Sequence, residues 1–234
     1  MRSFAARSTE EEMMDGDEVT SADFAACLHD LAQVNTVTLA RPPTLRFLAR
    51  ATALMRPGEA FSLLDVGYGE GDMLRAVHRW ATRRGLRARL CGVDLNPRSE
   101  PAARAATDPA WGIDYRTGDV FDLSADERPD FVISSLVTHH MTNAQVVRFL
   151  AWMEAVTRRG WMVNDLHRSA LAFYGFKLLS TLAMWHPFVR HDGPVSVARA
   201  FRRADWRRLV AEAGTAEAQV RWRFPFRYCV ERIK

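Results

Sequence analysis

The chain is poor in cysteine and almost without lysine. Among its 234 residues, Cys27, Cys91 and Cys229 stand far apart. No two have the close spacing of a zinc site or a redox dithiol, so neither is expected. Isolated thiols suit a reducing compartment, and a cytoplasmic location is expected. Lysine occurs only at Lys177 and Lys234, so nearly all the positive charge is arginine. The arginines are scattered among acids and leave a net charge of only +4. That pattern reads as coding bias rather than a phosphate-binding stripe, and no nucleic-acid partner is expected. No run of 18 or more uncharged apolar residues exists, so no stable membrane insertion is expected. The first stretch, "MRSFAARSTEEEMMDGDE", turns acidic and lacks the apolar segment of a secretory signal. Internal repeats and low-complexity tracts are absent too.

What remains is 48% apolar, enough for the core of one decorated domain. Residues 1 to about 19 are polar and acidic, and read as mobile. "SADFAACLHDLAQVN" places Phe24, Leu28 and Leu31 on one helix face. Arg41-Pro42-Pro43 breaks that element, and Thr44 is the expected cap of a second helix. From Phe61 the chain alternates apolar strands with amphipathic helices in units of about 20 to 30 residues. Such alternation predicts a parallel sheet covered on both faces. "RHDGPVS" reads as a turn-rich loop, and "AQVRWRFPFRYCVERI" as two strands around Pro225. The expected fold is α/β: a Rossmann-like, doubly wound, mostly parallel sheet with an antiparallel C-terminal hairpin and a helical lid. Residues 1–58 form the N-terminal segment and helical cap; residues 59–234 form the core, with an acceptor-site insertion at about 168–200.

One stretch carries the chemistry. In "SLLDVGYGEGDMLRAVHRW" an apolar strand ends in Asp65, and Gly67, Gly69 and Gly71 follow at alternate positions before a helix. Glycine lets the backbone turn tightly and a ligand approach it. The helix start offers free amide donors. A dinucleotide loop needs G-x-G-x-x-G, but the third position here is Asp72, an anion where a pyrophosphate would sit. Asp65 would repel phosphate as well. It suits a ligand with a positive charge, such as the amino group of an amino-acid moiety.

With "LDVGYGEGD", "GVDLNP", "GDVFDL" and "DFVISSLVTHHM" in this order, the chain resembles the class I S-adenosylmethionine-dependent methyltransferases of the small-molecule branch. The resemblance covers roughly residues 61–166. It implies S-adenosyl-L-methionine as cofactor and S-adenosyl-L-homocysteine as product. By that likeness Asp94, beside Leu95, accepts from both ribose hydroxyls. Asp119 accepts from the adenine amine, with the Val120 amide beside it. The Gly67 to Gly71 backbone lies under the methionine part, and Asp65 acts near its amino group. Ser134 or Ser135 offers backbone contacts there. Tyr68 stands where many relatives have a small residue or cysteine. Asp94 and Asp119 also fit as ordinary strand-end acids, and a nicotinamide-dependent reductase is the rival that the loop spacing disfavours.

The acceptor end is less legible. Ligands in open α/β sheets sit beyond the carboxyl ends of the strands, where "THH" and "DLHR" fall. A phenol, with a free pKa of about 10, needs a base; His167 is the first candidate and His140 the second. Asp165 either orients a histidine or pairs with Arg168 to hold the insertion. His139, Arg168, Tyr174, Trp185 and His191 are candidate acceptor contacts. The aromatic insertion favours an apolar, aromatic acceptor, although such a run also fits as core, and an interfacial helix touching lipid is the other reading. The expected reaction is O-methylation of a small aromatic or phenolic, polyketide-like metabolite, with affinity to a bacterial subgroup of secondary metabolism. The alternatives are C-methylation of a quinone or phenolic ring and a non-catalytic cofactor-binding module. No metal is expected, and the chain is expected to be a monomer or homodimer.

Overall fold

The computed structural model describes residues 3–16, 19–122 and 128–234. Seven strands form one sheet: β1 (Ala60–Val66), β2 (Arg87–Asp94), β3 (Asp114–Thr117), β4 (Phe131–Ser135), β5 (Gly160–Leu166), β6 (Gln219–Arg223) and β7 (Arg227–Ile233). Their order is β3-β2-β1-β4-β5-β7-β6. β1 pairs in parallel with β2 and β4, and β5 in parallel with β4. β7 runs antiparallel to β5 and to β6, which forms the edge hairpin expected around Pro225. Leu123, the last residue of "GDVFDL", lies outside the described residues, as do positions 1–2 and 17–18 of the stretch expected to be mobile.

Side chains alternate across the pleat and sort into two cores. Phe61, Leu63, Phe131, Ile133, Met162 and Cys229 face α2 (Arg41–Ala51), α3 (Asp72–Arg83) and α4 (Ser99–Ala105). Leu64, Val66, Val132, Trp161, Val163 and Val230 face α5 (Asn143–Val156) and α8 (Arg203–Glu212). α5 shows why these segments are helices. Thr142 caps it, its hydroxyl accepting from the Gln145 amide while the Gln145 side chain returns to the Thr142 amide. Such a cap is worth about 1 kcal/mol. Val146, Phe149, Leu150 and Met153 recur at helical spacing and are all fully buried, each adding roughly 1.5–3 kcal/mol.

Three expectations change. The first helix does end before Arg41, at Val37, but Arg41-Pro42-Pro43 is the first turn of α2, where a proline forfeits no helical hydrogen bond, so Thr44 lies inside that helix and does not cap it. The described part of the N-terminal stretch is not loose. Phe4 packs edge-on against Phe173, and Arg7 donates to the carbonyls of Arg199, His139 and Met141. "RHDGPVS" is not a loop but the middle of α7 (Pro187–Arg199). There a Cβ on Gly193 would lie 1.9 Å from the Phe176 ring of α6 (Ala170–Leu182), so the α6–α7 contact demands glycine. Asp192 is 3% exposed and accepts the amides of Met13 and Met14, tying down the N-terminal segment. With α1 (Ser21–Val37), α6 and α7 form a helical cover beyond the strand ends.

Candidate active site

β1 and β4 lie side by side, and their crossovers leave in opposite directions along the sheet. Such a switch point opens a crevice at the strand ends. A cavity of about 760 Å³ lies there, walled by the glycine turn, the ends of β2 and β4, and α1, α6 and α7.

At one end the turn is held open by its own backbone. Gly67, Gly69 and Gly71 have φ of 75°, 54° and 76°, a region that costs other residues roughly 1–2 kcal/mol. A Cβ on Gly67 would meet Val137 at 2.3 Å; one on Gly69 would find only Leu28, at 3.6 Å. Gly69 is thus the point of open approach. The Gly69 amide donates to Asp94 Oδ2 and the Asn96 amide to Oδ1, both at 2.9 Å. Each oxygen keeps a lone pair, enough for a vicinal diol. Asp119 accepts from the Phe121 amide at 3.0 Å and stays exposed beside buried Val120. Leu95 is 72% exposed and forms part of the rim.

Asp65 is buried, and its Oδ1 lacks a partner among the described residues. Burial, with Asp72 and Asp94 nearby, pushes its carboxyl well above the usual range. A cationic ligand group would relieve all three causes. Asp72 itself is paired with Arg41 at 2.8 Å, so the case against a phosphate rests on Asp65. The Tyr68 ring does not block the turn. It packs in the core against Tyr115 at 5.0 Å, and Tyr68 is among the residues that line the cavity. Gly71 does not line the cavity; a Cβ there would strike the Tyr115 hydroxyl at 2.4 Å, so its role is packing. Ser135 lines the cavity, while Ser134 donates to the Val66 carbonyl and is structural.

The other end is assembled from distant segments. Asp165 is fully buried and accepts from the Thr138 hydroxyl, from the His139 amide at 2.9 Å and from the Leu166 amide at 2.7 Å. It also bonds His139 Nδ1 at 2.8 Å. Burial pushes its pKa up, but the His139 charge and these hydrogen bonds outweigh it and lower it to about 2. An ionised Asp165 only accepts, so His139 Nδ1 carries the hydrogen and Nε2 points away. His139 Nε2 stands 3.6 Å from Glu12 Oε1, and His140 Nε2 stands 3.8 Å from Glu12 Oε2. Glu12, His139 and His140 all line the cavity. So does Arg227, a buried guanidinium whose Nε and Nη1 have no partner among the described residues. Burial lowers it to about 10.

Several candidates fall outside the cavity lining. His167 packs edge-on against Tyr228 at 4.8 Å, and burial with Arg202 and Arg168 lowers its pKa. It does not line the cavity, unlike His139 and His140. Arg168 bonds the carbonyls of Phe4, Ala200 and Ala5 and pairs with Asp205, a structural cross-link. Its partner is therefore Asp205, not Asp165. Trp185 is buried among Cys27, Val34 and Val189, holding α6 and α7 to α1. Tyr174 lies on the outer face, 46% exposed. His191 pairs at 2.8 Å with Asp192, which lines the cavity, but is not itself in the lining. Asp165 touches no ligand space either; it positions His139. Glu12 and Arg227 were missed because nothing local in the sequence marks either as facing this cavity.

Residues 63–160 match the family model of a methyltransferase domain. The chain carries a methyltransferase domain. Among solved structures, this methyltransferase is similar to magnesium protoporphyrin IX methyltransferase from Synechocystis with bound SAM. That pair shares 14% identity over 95% of this chain and 88% of that one, with a TM-score of 0.54. Human N-acetylserotonin methyltransferase in complex with SAM matches at 14% identity over 92% of this chain and 56% of that one, TM-score 0.60. A plantazolicin methyltransferase in complex with SAH and a desmethyl analog matches at 11% over 86% and 76%, TM-score 0.60. At these identities the likeness is one of fold. No curated protein matches the methyltransferase in sequence. Among the described residues no helix is long and apolar enough to cross a membrane.

Proposed function

We propose that the enzyme transfers a methyl group from S-adenosylmethionine to an oxygen of a small aromatic or phenolic metabolite. The observation that carries this is the single cavity joining the Asp94 and glycine-turn end to the Glu12–His139–His140 end. The residues present fit the cofactor. Asp94 has lone pairs for the ribose diol, the open backbone at Gly69 admits the methionine part, and the orphaned Asp65 Oδ1 suits its ammonium. Bound there, S-adenosylmethionine supplies an electrophilic methyl on a sulfonium.

The chain's own work is to place and ionise the acceptor. Apolar walls from Leu28, Leu31, Phe176, Leu179 and Val189 exclude water and favour a flat, apolar body. The polar cluster at the far end takes the acceptor hydroxyl, and that is where its proton leaves. Fixed positive charge from Arg227 favours the oxygen anion left behind. The protein works in the cytoplasm, and its three cysteines, which form no disulfide among the described residues, fit a reducing medium.

Calorimetry with S-adenosylmethionine and NADH, then a screen of phenols, quinones and carboxylates with product mass and position, tests the reading. Methylated oxygen supports it. Methylated ring carbon would replace it with the C-transfer alternative, and preferential NADH binding would end it.

A further inference from the structure

We propose that Glu12, His139 and His140 form a site for a divalent transition-metal ion of the zinc class, at the acceptor end of the cavity. One ligand atom from each lies within 4.8 Å of the others. The Glu12 carboxylate spans the two imidazoles, with Oε1 3.6 Å from His139 Nε2 and Oε2 3.8 Å from His140 Nε2. A tetrahedral ion with bonds of about 2.0–2.1 Å sets its ligands about 3.3–3.5 Å apart. Ligand atoms no more than 4.8 Å apart reach that spacing by side-chain rotation.

The surroundings are those of a built site. His139 donates Nδ1–H to Asp165 at 2.8 Å, the carboxylate–histidine arrangement that turns the Nε2 lone pair toward a metal. Glu12 is only 5% exposed, and the Ser196 hydroxyl donates to it at 2.8 Å. The turn carrying the two histidines is clamped before any ligand arrives. Arg7 and Arg199 both donate to the His139 carbonyl, and Arg199 also to that of His140. Two imidazoles and one carboxylate match zinc better than magnesium or calcium, which take oxygen ligands. Three protein ligands leave a fourth position, and all three line the cavity.

That open position accepts the acceptor's oxygen. Coordination lowers the hydroxyl's proton affinity, its O–H bond breaks to release the proton to water, and the electron pair stays on the metal-bound oxygen. This use rests on the methyl-transfer reading; binding of the ion does not.

The test uses the full, tag-free chain after dialysis against a chelator. Zn²⁺ is titrated by calorimetry, and Co²⁺ binding is followed by the visible absorption of a tetrahedral complex. One ion per chain is expected, with affinity reduced at least about tenfold in Glu12→Gln and in His140→Ala. Melting by circular dichroism confirms that both variants fold; if either does not, Glu12→Asp, which keeps the charge but shortens the reach, must weaken Co²⁺ absorption by the same measure. No stoichiometric binding, or equal binding in the wild type and folded variants, overturns the site. S-adenosylmethionine affinity is measured on the same metal-free samples. Phenol methylation that the bound ion leaves unchanged overturns the ion's part in the reaction and leaves the transferase. Metal binding without cofactor binding does the reverse.

Discussion

The two ends of the cavity are built on different plans. The cofactor end comes from short loops that each follow a strand, so its residues lie a few positions from the element that aims them. Asp94 ends β2, and the glycine turn joins β1 to α3. The acceptor end draws Glu12 from the N-terminal segment, the histidines from the turn after β4, Asp165 from β5 and Ser196 from α7. Its carboxylates are buried and multiply bonded, while Asp94 is partly open. One end is a surface that a ligand completes; the other is a piece of the protein's polar interior. Substitutions should therefore separate: binding without folding at the first end, folding together with chemistry at the second.

The largest effect is expected at Asp165. Asp165→Ala strands the Thr138 hydroxyl, two amides and His139, and should cost about 3–5 kcal/mol in urea denaturation. Unchanged stability would erase the contrast drawn above. The same residue sets an acid limit. Its folded pKa, about 2, lies below the unfolded value of 3.8. Its stabilisation is present above about pH 4 and lost as pH falls toward about 2. The acid limb of the denaturation profile should flatten in Asp165→Asn.

Asp94→Ala comes next. Losing a charged acceptor of two hydroxyls should weaken S-adenosylmethionine by about 2–3 kcal/mol, roughly 30- to 150-fold, with the melting temperature of the free protein nearly unchanged. A large loss of stability would instead make Asp94 a structural acid like Asp165.

Asp65→Asn sharpens the comparison with an opposite sign. The Asp65 carboxyl is raised in the folded state. Its ionisation therefore withdraws stability as pH climbs from the unfolded value through the raised one. Near neutral pH the amide should raise the melting temperature of the free protein by roughly 2–4 °C and reduce cofactor affinity in calorimetry. A lower melting temperature would contradict the burial argument. The smallest effect belongs to Tyr174→Ala. On the outer face it should cost about 0.5 kcal/mol and leave acceptor KM unaltered; a raised KM would bring that face back into the site.

Legibility followed the same division. The strand-helix alternation from Phe61, the glycine turn, Asp94 and Asp119 were readable because each signal is local: a period, a positive-φ turn, an acid at a strand end. His139 and His140 were visible as a pair, yet which of them Asp165 holds was not. His167 turns toward Tyr228 and away from the cavity lining, and nothing in "NDLHRS" records it. "RHDGPVS" misled because glycine and proline normally punctuate loops, whereas the Phe176 ring requires glycine inside α7.

By itself, the sequence determined the doubly wound, mostly parallel sheet and the glycine turn that follows its first strand. Those follow from interactions between residues a few positions apart, and the pattern of side chains records them directly. Only the tertiary structure decided that Glu12 meets His139 and His140, that Asp165 serves a histidine rather than Arg168, and that Arg227 faces the cavity. Such meetings depend on how α1, α6, α7 and the N-terminal segment pack over the strand ends, and packing between distant segments leaves no periodic mark in the chain.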